Sequence, residues 1–72
     1  MNSIEPKTQK EIIQGLTDVK IVFDSLNSNL AYCLHSNSED NMRLAFEFLD
    51  DMATELNTLR QAMNKAWVEL DF

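Results

Sequence analysis

The sequence predicts an all-α fold, an antiparallel hairpin of two long helices over residues 6–34 and 38–70. Two such hairpins are expected to dimerise into a four-helix bundle. Three observations predict this. The apolar residues form two unbroken ladders at heptad spacing. A short run of capping residues, HSNSED, separates the ladders. The 72 residues hold a single Gly and a single Pro, which is poor material for the many turns of a β fold.

The first ladder is Ile12, Leu16, Val19, Phe23, Leu26, Leu30 and Cys33, in alternating steps of four and three. That alternation keeps one stripe on one side of a helix. Pro6 suits a first turn, where its missing N–H costs nothing. Thr8 with Glu11 offers a capping box and so a later start. The stretch DSLNSN, residues 24–29, is poor in helix formers. Leu26 and Leu30 hold the period there, so the helix is expected to run through it. Gly15 sits mid-helix at a cost of about 1 kcal/mol against Ala, which a close approach of two helices would justify.

The second ladder is Met42, Ala45, Leu49, Met52, Leu56, Leu59, Met63, Ala66 and Leu70. Between the ladders, Ser36 with Glu39 fits a capping box, and Ser38 is an alternative N-cap. Asn37 is suited to the left-handed conformation that ends a helix. Glu39 and Asp40 suit the positive end of the second helix. So short a connection makes the helices antiparallel. The expected register sets Cys33 opposite Met42, Leu16 opposite Leu59 and Ile12 opposite Met63. The whole chain, 1–72, is one domain.

A dimer is expected because the apolar sector is wider than one seam. A chain of this size rarely draws more than ~3–5 kcal/mol from a single core. Ile13 and Val22 flank the first seam. Phe46 and Phe48 lie on opposite shoulders of the second, and Trp67 shares the shoulder of Phe46. Such a sector suits helices packed on two sides. The layout resembles that of the plasmid Rop family, in architecture alone. Rop's RNA-binding role does not carry over to a chain this acidic.

Twelve acids against six bases give a net charge of −6. Nucleic-acid binding rests on neutralising phosphates, so this balance argues against direct contact with DNA or RNA and with anionic membranes. No apolar run reaches the ~18 residues of a membrane span, and the N-terminus lacks a signal core. Cys33 is the only cysteine. A lone thiol fits a reducing compartment, so a cytoplasmic location is expected.

No constellation for catalysis stands out. Cys33 and His35 are too few for zinc, which needs three or four ligands. Cys33 has no base and orienter around it. There is no glycine-rich phosphate loop. The expectation is a non-enzymatic protein without cofactor or metal. The acidic run Glu39, Asp40, Glu47, Asp50, Asp51 and Glu55 is broken only by Arg43. Met42, Met52 and Met63 are adaptable side chains of the kind found on binding surfaces. The C-terminal AWVELDF adds Trp67 and Phe72, residue types that anchor interfaces.

The functional expectation is a small protein-binding module that regulates or inhibits a partner. It would act through an apolar helical face of Phe46, Phe48, Met52 and Trp67. Ile13, Val22 and Phe72 join the candidate interface, and Glu47, Asp50, Asp51 and Glu55 form an acidic contact face. The alternatives are an acidic nucleic-acid mimic that blocks a DNA- or RNA-binding protein, and a small chaperone or antitoxin-type subunit.

Overall fold

A computed structural model of the chain describes residues 2–71, which form two helices, α1 (Pro6–Ser36) and α2 (Glu39–Leu70). They pack side by side as an antiparallel hairpin measuring 55 × 15 × 14 Å. The helix α1 starts at Pro6 and continues unbroken through DSLNSN. In that stretch Ser25 donates its hydroxyl to the Ile21 carbonyl, and Asn29 donates its amide to the carbonyl of Asn41 on α2.

The connection is as short as the capping residues imply. Asn37 takes the left-handed conformation, φ 52°, and its N–H closes α1 on the Cys33 carbonyl at 2.8 Å. Ser38 is the N-cap of α2, its hydroxyl accepting from the Asn41 N–H at 3.3 Å. Ser36 is still helical and donates back to the Tyr32 carbonyl. Each helix therefore departs slightly from the expected limits. The helix α1 runs two residues past 34, and α2 begins one residue after 38.

The helices meet along a line rotated from the expected seam. Half of each ladder lies on it: Ile12, Val19, Leu26 and Cys33 on α1, and Ala45, Met52, Leu59 and Ala66 on α2 are buried or half-buried. The alternate ladder residues Leu16, Phe23, Met42, Leu49, Leu56 and Met63 are exposed. Their places are taken by Thr8, Gly15, Val22 and Asn29 on α1, and by Asn41, Phe48, Glu55, Ala62 and Glu69 on α2. The closest approach shows why. A Cβ on Gly15 would lie 3.1 Å from Leu59 Cδ1 and 3.5 Å from Leu59 Cα. Gly15, not Leu16, is thus the residue set against Leu59, which corrects the expected register by one position.

The open end of the hairpin is closed by Glu69. No side chain of its own caps α1, and the Thr8–Glu11 capping box does not form. Instead Glu69 reaches across from α2. One carboxylate oxygen accepts the Glu5 N–H at 2.9 Å, and the other accepts the Thr8 hydroxyl at 2.6 Å. An anion is favourable there because the N-terminus of α1 carries the positive end of the helix dipole. Thr8 is fully buried by this arrangement. The Thr8 hydroxyl, then the Glu5 N–H, hold the Glu69 carboxyl below its ordinary pKa against the opposing effect of burial, with Lys65 assisting.

Two outcomes are expected. Gly15→Leu should lower stability in urea melts by ~1–3 kcal/mol through overpacking. Gly15→Ala should stay within ~1 kcal/mol of the parent, because its helix-propensity gain offsets a small shift of Leu59. A carboxyl with a lowered folded-state pKa contributes stability above the ordinary carboxylate range and loses it as pH falls through the lowered value. Melting temperature followed against pH should therefore fall in acid. Glu69→Gln should melt lower at neutral pH and show a smaller acid-induced decline.

Candidate interaction surface

Rotation of the contact line gives the hairpin two unlike sides. In an antiparallel pair the positions one step outside the seam lie together, those of one helix beside those of the other. On one side these are Leu16, Phe23 and Leu30 of α1 with Met42, Leu49, Leu56, Met63 and Leu70 of α2, all apolar. On the other they are Glu11, Asp18, Ser25 and Tyr32 of α1 with Leu44, Asp51, Thr58 and Lys65 of α2, mostly polar. The surface depressions follow the same division. An apolar depression of about 370 Å³ joins Ile4, Ile12, Leu16, Met63, Trp67 and Leu70. The polar side carries Lys7, Lys10, Gln14, Asp18, Gln61 and Lys65 around a second depression. There Lys65 pairs with Glu11 at 3.7 Å, across the two helices.

The apolar side is bordered by further large side chains. Ile13 and Leu34 of α1, and Phe46 and Trp67 of α2, lie one position farther round the helices and are exposed. Phe46 is 62% exposed and Trp67 64%. A continuous apolar strip thus runs the length of the hairpin. Isolated exposed apolar residues are ordinary, whereas a contiguous strip of them is not, which makes this side the candidate interaction surface.

The structure divides the residues singled out from the sequence. Ile13, Phe46 and Trp67 border the open strip. Val22, Phe48 and Met52 are half-buried between the two helices. They are therefore not displayed beside Phe46 and Trp67 as one face. Phe72 lies outside the described residues. Glu47, Asp50 and Asp51 are exposed, whereas Glu55 is half-buried on the contact line. The residues that sequence reasoning assigned elsewhere are Leu16, Phe23, Leu49, Leu56 and Met63. The ladders put them inside the hairpin, and the structure places them on the open strip. A signal for this was present. Gly15, Ala45, Ala62 and Ala66 are small residues at helical spacing, and small residues admit the close approach that defines the inner line.

Cys33 is buried, and its thiol donates to the Ser38 carbonyl at 3.5 Å. His35 is exposed in the last turn of α1. Among the described residues no three His, Cys, Asp or Glu side chains are grouped to hold a metal. Among the same residues, no helix is long and apolar enough to cross a membrane.

No family model, curated protein or solved structure matches this chain. The functional reading rests on the surface described above.

Proposed function

We propose that this chain is a small, non-enzymatic protein-binding module that regulates or inhibits a partner, and that it works as a dimer of hairpins. The apolar strip supports this reading more than any other feature. A compact protein of 8.3 kDa exposes about 4,600 Å² by the usual scaling with mass. The hairpin exposes 5709 Å². The excess, about 1,100 Å², belongs to an elongated pair of helices, and packing a second pair against the strip would reduce it. Packing two strips face to face makes a four-helix bundle whose core is Leu16, Phe23, Leu49, Leu56 and Met63 from each copy. Its flanks take in Ile13, Phe46 and Trp67.

The outer side of α2 stays accessible in such a bundle. Glu47, Asp50 and Asp51 lie there, and they would orient a basic partner and speed its approach. A cytoplasmic setting suits the single reduced thiol. The readings as an acidic nucleic-acid mimic, or as a chaperone or antitoxin-type subunit, draw on the same acids and the same size. No specific geometric feature favours them.

Sedimentation equilibrium over a dilution series tests the proposal. The parent chain should sediment as a dimer. Leu49→Glu, at an exposed position on the strip, should dissociate it, whereas Asp50→Lys on the outer side should not. A parent chain that stays helical and monomeric at high concentration would overturn the reading.

A further inference from the structure

We propose that residues 2–5 form a latched strap at the open end of the hairpin. Tied to α2, the strap holds Ile4 as one wall of the apolar depression. Released, it takes that wall away while the two helices stay packed. An apolar group that settles at the open end then meets a walled recess when the strap is latched and an open-ended groove when it is not. This holds whether or not a second copy covers the rest of the strip.

The strap lies outside both helices. Glu5 is extended, with φ −62° and ψ 145°. A residue before proline is disfavoured in the helical region, so α1 does not grow back over the strap. Chain termini are poorly ordered unless something ties them down. Here two acids at the C-terminal end of α2 do so. The Glu5 N–H donates to Glu69 at 2.9 Å, and the Asn2 amide donates to Asp71 at 3.3 Å. The Gln9 amide donates to the Ile4 carbonyl at 3.0 Å and braces the strap against the first turn of α1.

Ile4 is the side chain that these contacts position. It is half-buried, whereas Asn2, Ser3 and Glu5 are exposed. It lines the depression beside Ile12, Met63, Trp67 and Leu70, and among the described residues it is the one lining side chain from outside the helices. The two oxygens of Glu69 have different duties. The one that accepts from Thr8 is held by α1, where Thr8 is fully buried. The one that accepts from Glu5 carries the strap. Lifting the strap breaks exposed hydrogen bonds and withdraws one half-buried side chain. Segments with so few buried contacts open at far lower free energy than the whole protein. The strap is therefore the part that moves first, and Glu69 is a positioning residue for Ile4.

NMR relaxation of the full chain tests this. In the parent, backbone order parameters at residues 3–5 should lie near the ~0.85 of a rigid chain. Glu69→Ala should drop them below ~0.6, the range of flexible segments, and the Ile4 methyl groups should lose order with them. The Ile12 methyl groups and the helical circular dichroism should stay as in the parent. A second variant, Asn2→Ala with Ile4→Ser, leaves Glu69 on Thr8 and should loosen residues 3–5 in the same way. Residues 3–5 already flexible in the parent would overturn the strap. Unchanged order in Glu69→Ala would overturn the latch. Loss of helical signal in the second variant would overturn the claim that the strap opens while the helices stay packed.

Discussion

The hairpin depends on one close contact. Gly15 has no side chain, and Leu59 of the facing helix occupies the space that a side chain would need. That contact sets which line of α1 faces α2. Ala45, Ala62 and Ala66 continue the pattern on α2 with small side chains that are themselves buried. Helices drawn together along small residues bury little apolar area per residue. The bulky residues beside that line, Leu16, Phe23, Leu49, Leu56 and Met63, are left facing outward. The strip follows from the way the two helices meet.

The ends of the hairpin are held by polar contacts. At one end Asn37 and Ser38 close two helices within two residues, one through its backbone conformation and the other through its hydroxyl. At the other, Glu69 serves as the cap that α1 lacks, and Asn2 donates to the Asp71 carboxylate at 3.3 Å. Orphan N–H groups at a helix start need acceptors. Here the acceptor comes from a residue 64 positions away in sequence. The register of the two helices is therefore pinned about a third of the way along α1 by Gly15 and at the open end by Glu69.

Much of this is legible in the sequence. The ladders identify both helices, and Pro6, Asn37 and Ser38 mark their limits to within two residues. The close approach at Gly15 follows from a glycine inside a helix with no turn to justify it. The face that turns inward is not legible from periodicity alone. Ladders built on Leu16 and Phe23 count apolar residues, and both the inner line and the outer strip contribute to the count. About half of each ladder belongs to the inner line and the rest to the strip, so periodicity shows a single stripe where there are two. For the same reason periodicity groups Phe48 and Met52 with Phe46 and Trp67, although the structure turns them toward α1. The clamp at Glu69 was not legible either. A capping residue is sought within its own helix, and Thr8 with Glu11 satisfied that search locally.

The helices meet along the Gly15–Leu59 line and leave an apolar strip uncovered within each chain. Isotope-labelled chains diluted into an excess of unlabelled ones restrict NMR cross-peaks to contacts within one chain. Under that condition, cross-peaks between the Gly15 Hα protons and the Leu59 methyl groups are predicted. Intrachain Leu16–Leu59 contacts with no Gly15–Leu59 cross-peak would contradict this, because the helices would then meet along the bulky residues and no strip would remain for a second chain.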